Sequence, residues 1–303
     1  MTASVVETPR STPPQAIKFL WLDLTRKCQL ACTHCYNSSG PDGTHGAMTR
    51  DDWLNALNQA HELGLRSVTL IGGEPTLHPH AVEVAEHALN LGIEVEVYSN
   101  LVHVPNVWWD LLQREGMSLA TSYYSDKAEE HNRVTRRPSH ARTRANIAKA
   151  MKAGVPIRVG IVGDDEQRIE AAKLDLKAMG VSKIGVDRIR EFGRASEGQE
   201  PEAANLCGGC GDGRASIDPT GKVSPCVFST WMGVGDVRDD ALASILGGPA
   251  LSEAVASIHG AIDGQAKACR PDCVPNNPCD PRCEPNSSGC RPGTPPSECK
   301  PKN

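Results

Sequence analysis

Aromatic residues are scarce: 5 Trp, 4 Tyr and 3 Phe in 303 residues. So few rings argue against the extended stacking platform of a single-strand nucleic-acid binder. Nor does one sign of charge dominate. Lys and Arg total 32 against 37 Asp and Glu, a net charge of −5, so bulk attraction to nucleic acid or to an anionic membrane is not expected. No apolar run approaches the roughly 20 residues of a membrane span. Residues 1–15 are polar and Pro-rich, without the hydrophobic stretch of a secretion signal. The expectation is a cytoplasmic protein with no nucleic-acid and no membrane partner. Hydrophobic residues at 39% and charged residues at 23% exclude wholesale disorder. At about 150 residues per domain, the length points to two domains.

Cysteine is missing from the long stretch between Cys35 and Cys207 and crowded on both sides of it. Three of the 12 lie in Cys28–Cys35, and the other nine follow from Cys207. Disulfides need an oxidising compartment, and nothing here directs export. In a reducing compartment, clustered thiols bind zinc or iron–sulfur groups or do redox chemistry. The first cluster reads Cys28-Gln-Leu-Ala-Cys32-Thr-His-Cys35-Tyr36, a C-x3-C-x2-C spacing with no evident fourth thiol. Structural zinc wants four ligands. Three thiolates on one short loop suit three irons of a 4Fe–4S cube, with the fourth iron open to a bound molecule. His34 is either a zinc ligand or, the blander alternative, a spacer turned away from the cluster.

C-x3-C-x2-C followed by an aromatic residue, after an apolar strand and Leu24-Thr25-Arg26-Lys27, resembles the signature of the radical S-adenosylmethionine (SAM) enzymes. The order of elements agrees. After a leader read as disordered (1–16), strands are expected at 17–22, 67–71, 93–98, 119–123, 157–162 and 183–186. Helices are expected at 49–64, 79–92, 141–154 and 166–180. Thr49 is a good N-cap with Asp52 three residues on, and Gly64 a good stop. Such alternation implies parallel strands with right-handed crossovers. Alone it fits a doubly wound sheet as well as a barrel. The resemblance implies an α/β fold, a partial (β/α)6 barrel over 17–195, followed by a small cysteine-rich domain over 196–303.

In β/α barrels, functional residues gather at the C-terminal ends of strands. The cysteine loop, Gly72-Gly73-Glu74-Pro75, Ser99-Asn100, Ser122, Gly160–Gly163 and Asp187–Arg190 all fall there. Gly-Gly after a strand is commonly a plain turn. By resemblance it is the element whose backbone binds the amino group of SAM, with Glu74 supporting the loop or the amine. Glycine allows that close approach. The resemblance further implies SAM contacts from Asn100 and Ser122 near the ribose and from the Tyr36 backbone at the adenine edge. Gly160–Gly163 loosely echoes an adenine-contacting element. Arg142 or Arg144 would pair with the SAM carboxylate, because arginine suits bidentate recognition.

After about residue 195 the composition shifts, and 191–205 reads as a polar connector. Cys207-x2-Cys210, then Gly221-x4-Cys226, and Cys273-x5-Cys279-x3-Cys283 resemble the SPASM domain, which carries auxiliary iron–sulfur clusters. Cys269-x3-Cys273 departs from its usual C-x2-C. The resemblance implies two auxiliary 4Fe–4S clusters, one on Cys207, Cys210, Cys226 and Cys283, the other on Cys269, Cys273, Cys279 and Cys290, with Cys299 as the alternative to Cys290. A zinc ribbon built on Cys207-x2-Cys210 is the competing reading.

The resemblance implies reductive cleavage of SAM and hydrogen abstraction from a substrate. The first expectation is oxidative modification or crosslinking of a ribosomally made peptide. The alternatives are a small metabolite such as an aminoglycoside, sugar or nucleoside, and a non-catalytic iron–sulfur electron carrier. An external flavodoxin- or ferredoxin-like donor is expected. Fully ligated auxiliary clusters would accept the electron of a substrate radical. About 16 residues precede the first strand, too few within this sequence for a leader-binding winged helix, so recognition would fall to another site or to a separate protein. The sequence identifies no catalytic side chain.

Overall fold

The structure, a computed structural model, describes residues 17–211 and 213–265. The leader at 1–16 and the ligands assigned to Cys269, Cys273, Cys279, Cys283, Cys290 and Cys299 lie outside the described residues.

Strand β1 (Phe19–Thr25) alternates. Leu20, Leu22 and Leu24 enter the core, while Trp21, Asp23 and Thr25 face the other way. Helix α1 (Arg50–Glu62) opens with the expected N-cap. Thr49 Oγ1 accepts from the Asp52 N–H at 3.2 Å, and the Asp52 carboxylate accepts from the Thr49 N–H at 2.8 Å. Its buried stripe is Trp53, Ala56, Leu57 and Ala60. Then follow β2 (Ser67–Gly72), α2 (Ala81–Asn90), β3 (Glu94–Tyr98), α3 (Asn106–Leu111), β4 (Met117–Tyr123), α4 (Ala128–Thr135), α5 (His140–Lys152), β5 (Ile157–Val162), α6 (Glu166–Ala178) and β6 (Lys183–Asp187).

Strands β1 to β6 pair in parallel in chain order, the arrangement expected of a partial (β/α)6 barrel. The first strand lies two to three residues later than expected. Helices α3 and α4 were not expected from the sequence. Helix α4 buries His131 and Thr135, so its inner face is polar and leaves no apolar period to read.

The sheet does not stop at the sixth strand. Strand β7 (Arg214–Ile217) pairs in parallel with β1, and β8 (Lys222–Ser224) and β9 (Gly235–Asp236) continue antiparallel, giving the order β6-β5-β4-β3-β2-β1-β7-β8-β9. The β7–β8 hairpin, turning at Asp218–Gly221, thus extends the barrel sheet along the edge of β1. Helices α7 (Leu242–Gly247) and α8 (Pro249–Gln265) follow.

One face of the sheet is apolar. Val68, Leu70, Val95, Val97, Leu119, Val159 and Ile161 are buried in the core. The opposite, concave face is polar. Arg158 donates to both carboxylate oxygens of Glu96 at 2.6 Å, Thr69 donates to Glu96 at 3.1 Å, and the Tyr98 and Ser122 hydroxyls lie 3.0 Å apart. A barrel lined this way can receive a polar ligand at its strand ends.

Candidate functional site

The cysteine loop leaves β1 at its C-terminal end and is tied down along its length. The Cys28 N–H donates to Gly40 O at 3.0 Å and the Gly40 N–H to Arg26 O at 3.1 Å. The Ala31 and Thr33 N–H groups donate to Thr135 O (3.2 Å) and Val134 O (2.9 Å) at the end of α4. Ser38 takes a left-handed backbone (φ 56°), uncommon for a residue with a side chain. Cys28 is buried, and its Sγ accepts from the Leu30 N–H (3.4 Å) and Asn100 Nδ2 (3.6 Å). Cys35 lies 3.0 Å from Asn37 Oδ1, whose amide nitrogen is buried without a partner.

Burial, then the Glu74 carboxylate, pushes the Cys28 thiol up to about 12; burial, then the neighbouring Cys35, pushes Cys32 up to about 11. Cys28 also feels the charge of Cys32 and Cys35. Ionising them together needs a cation of high charge among them, which bound iron supplies. Among the described residues no three His, Cys, Asp or Glu side chains converge on a single ion. A cube that gives each thiolate its own iron fits this trio better than one zinc ion.

The loop after β2 is zipped against the start of the cysteine loop. Gly73 and Glu74 donate their N–H groups to Thr25 O (2.7 Å) and Lys27 O (2.9 Å). A Cβ on Gly73 would lie 2.3 Å from the Lys27 carbonyl oxygen, so only glycine fits. With the donors spent inward, the loop's carbonyls are the groups an ammonium would use. Glu74 is fully buried. Its carboxylate accepts from the Thr76 N–H (3.2 Å), the Thr76 hydroxyl (2.7 Å) and the Asn100 N–H (2.8 Å). These hydrogen bonds tie Glu74 to its own loop and to the end of β3.

Asn100 closes the third side. Its carbonyl accepts from Thr143 (2.9 Å), and the next residue, Leu101, is left-handed (φ 57°) and held through its carbonyl by Asn146 (2.7 Å). Asn100, Glu74, Gly73 and Cys28 therefore form one connected constellation. Ser122 sits deeper, on the Tyr98 hydroxyl. Tyr36 follows Cys35 with its ring against Phe228 at 5.0 Å and its hydroxyl buried and unpartnered. Arg142 is exposed on α5, and no hydrogen bond ties it to the loop among the described residues. Arg144, the alternative to Arg142, has its guanidinium on Asp175 at 2.7 and 3.1 Å. His34 packs edge-on against Tyr124, 5.0 Å between rings.

Sequence reasoning missed Gly193 and Arg194, which fall inside the supposed connector yet rest on the cysteine loop. Arg194 Nε and Nη2 donate to Cys32 O and Ser39 O, both at 2.7 Å. No local pattern announces them, since their partners lie more than 150 residues earlier in the chain.

A second thiol group lies beyond the barrel strands. Cys210 and Cys226 are buried with sulfurs 3.4 Å apart, in an apolar cluster with Phe192, Leu206 and Ile258. Cys207 is exposed nearby, and all three are free. Hydrogen bonding from Cys210 holds Cys207 down to about 5 and keeps Cys226 below the usual thiol range. Three free thiols gathered at one apolar cluster suit thiolate ligation of a metal group.

The comparisons with known proteins agree with this geometry. The radical SAM superfamily model matches residues 22–176, and the model of an iron–sulfur cluster-binding domain, SPASM, matches 190–274. The chain belongs to the radical SAM superfamily and carries a SPASM domain; 4Fe–4S clusters and SAM are its cofactors. It is 35% identical over 81 residues to the PqqA peptide cyclase of Bradyrhizobium diazoefficiens, 27% of this chain and 20% of that protein. It is 26% identical over 187 residues to the AdoMet-dependent heme synthase of Methanosarcina barkeri, 60% of this chain and 54% of that one. The matches thus span between a fifth and about half of these relatives. In fold, it is similar to Streptococcus suis SuiB bound to the precursor peptide SuiA, with a TM-score of 0.66 at 15% identity, over 89% of this chain and 76% of that one. Among the described residues no helix is long and apolar enough to cross a membrane.

Proposed function

We propose that this enzyme reductively cleaves SAM at Cys28, Cys32 and Cys35 and oxidatively modifies or crosslinks a ribosomally made peptide. The observation that carries the SAM half is the connected constellation of Cys28, Gly73, Glu74 and Asn100 at the ends of β1, β2 and β3. Cys28, Cys32 and Cys35 would hold the cluster, which when bound would supply the electron for SAM cleavage and, through it, hydrogen abstraction from the substrate. The protein's own residues set the stage for this. The Gly72–Gly73 backbone offers carbonyls to the SAM ammonium, Glu74 holds that loop against Asn100, and Ser122 presents a hydroxyl on the concave face. Tyr36 offers its backbone to the adenine, and Arg142 is the candidate for the carboxylate. Cys207, Cys210 and Cys226, with Cys283, would hold the first auxiliary cluster, and Cys269, Cys273, Cys279 and Cys290 the second. Their role would be to accept the electron left on the substrate.

The peptide reading is supported by the PqqA peptide cyclases among the relatives. The domain division at about 195, a flavodoxin- or ferredoxin-like electron donor and a separate leader-recognition protein belong to the same proposal. The heme synthase among the relatives favours keeping a small molecule as the second reading. Anaerobic incubation with SAM, reductant and candidate substrates decides between them. The expected result is 5′-deoxyadenosine release with loss of a pair of hydrogens from a peptide. Release with a changed small molecule instead selects the second reading. No 5′-deoxyadenosine under strong reductant would refute both.

A further inference from the structure

The segment that leaves β6 lies directly on the backbone of the cysteine loop. Gly193 is left-handed (φ 56°), and a Cβ there would stand 2.4 Å from the carbonyl oxygens of both Cys35 and Tyr36. Arg194 then makes three contacts with the loop. Its N–H donates to Cys35 O at 3.0 Å, its Nε to Cys32 O at 2.7 Å and its Nη2 to Ser39 O at 2.7 Å. One residue thus holds the cysteine loop at three carbonyls. Its guanidinium partners are carbonyls rather than carboxylates, no ion pair holds it among the described residues, and its charge acts on the Cys32 thiol.

We propose that Arg194 is a positioning residue for the SAM-binding cluster: its planar fork fixes the loop that carries Cys32 and Cys35, and its charge favours the reduced cluster. The inference rests on the assignment of Cys28, Cys32 and Cys35 as ligands. Two physical effects separate within it. The fork bridges two carbonyls that a lysine ammonium, a single point charge, cannot span in the same way. The charge acts on an anionic cluster that gains a further electron on reduction, and net charge near a cluster sets its potential. Gly193 serves the same end by letting the segment reach the loop. Because the following chain runs on to Cys207, the clamp also links the cysteine loop to the segment bearing the auxiliary thiols.

The test uses the full chain reconstituted anaerobically with iron and sulfide, as wild type, Arg194→Gln and Arg194→Lys. The electron paramagnetic resonance signal that changes on SAM addition reports the N-terminal cluster, and the SAM-insensitive signals serve as an internal control for folding. Arg194→Gln should shift the midpoint potential of the SAM-responsive cluster downward. It should also lose that cluster's iron to a chelator roughly 10- to 100-fold faster, the scale for lost outer-shell support. Arg194→Lys should keep the potential near wild type yet still lose iron faster. Variants matching wild type in both potential and iron loss would overturn the inference while leaving the ligand assignment intact. A wild type with no SAM-responsive signal would instead remove the ligand assignment, and the inference with it. If Arg194→Gln does not fold, Arg194→Lys carries the test alone, and iron loss at the wild-type rate decides against the clamp.

Discussion

Glu74 and Asn100 join the ends of β2 and β3: the fully buried carboxylate accepts the Asn100 N–H at 2.8 Å while Asn100 Nδ2 reaches Cys28 Sγ at 3.6 Å. One carboxylate therefore sets the distance between the glycine loop and the first thiol. Burial raises the Glu74 pKa, and the hydrogen bonds from Asn100 and Thr76 oppose that rise. Replacing it by Ala leaves those donors unsatisfied, which costs about 1–3 kcal/mol. Glu74→Ala should lower the denaturant midpoint and weaken SAM binding by calorimetry. Glu74→Gln retains an acceptor and should recover part of both. Unchanged SAM affinity in Glu74→Ala would contradict the bracing role.

Gly73 tests the zipper between the two loops. A methyl group at this position meets the Lys27 carbonyl oxygen at 2.3 Å, against backbone that cannot swing aside. Gly73→Ala should therefore abolish SAM-dependent 5′-deoxyadenosine release. Gly163, whose Cβ would meet nothing within 4 Å, is the matched control, and Gly163→Ala should fold with near wild-type stability.

Cys226 separates the two thiol groups. Buried against Cys210 at 3.4 Å, it lies outside the cysteine loop after β1. Cys226→Ala should still release 5′-deoxyadenosine under strong reductant while product formation falls at least tenfold. Full product yield from this variant would dismiss the electron-accepting role of the first auxiliary cluster.

Two histidines predict the response to acid. Burial and a neighbouring imidazole push His131 down to about 4; burial, then His45 and His80, do the same to His78. Both stay neutral in the folded protein, whereas the unfolded chain protonates them near pH 6.5. Between about pH 6.5 and 4 the unfolded state binds more protons, so stability falls as pH falls through that window. Each contributes a loss of about 1–3 kcal/mol at the acid end. Urea midpoints measured at intervals from pH 7 to 4.5 should drop more steeply for wild type than for His131→Gln or His78→Gln. Parallel slopes would show that these imidazoles titrate normally.

The periodic elements were legible because their causes are local. The capping box of Thr49 and Asp52, and the alternation of Val95 and Val97 with Glu94 and Glu96, announce α1 and β3 within a few residues. Helix α4 was hidden because its buried positions, His131 and Thr135, are polar. Candidate site residues divided in the same way. Cys28, Cys32, Cys35 and Gly72–Gly73 stand out by spacing, whereas Arg144 looked available and is occupied by Asp175.

From the chain alone follow the strand–helix alternation, the family, and the clustering of candidate ligands at strand ends. Each is written in residues close enough along the chain to share a turn or a face. Tertiary structure decided which groups meet: β7 on the edge of β1, Glu74 beneath Asn100, and Arg194 across the carbonyls of Cys32 and Ser39. Those pairings join residues tens to more than a hundred positions apart, and only packing determines which distant polar groups find partners when water is excluded.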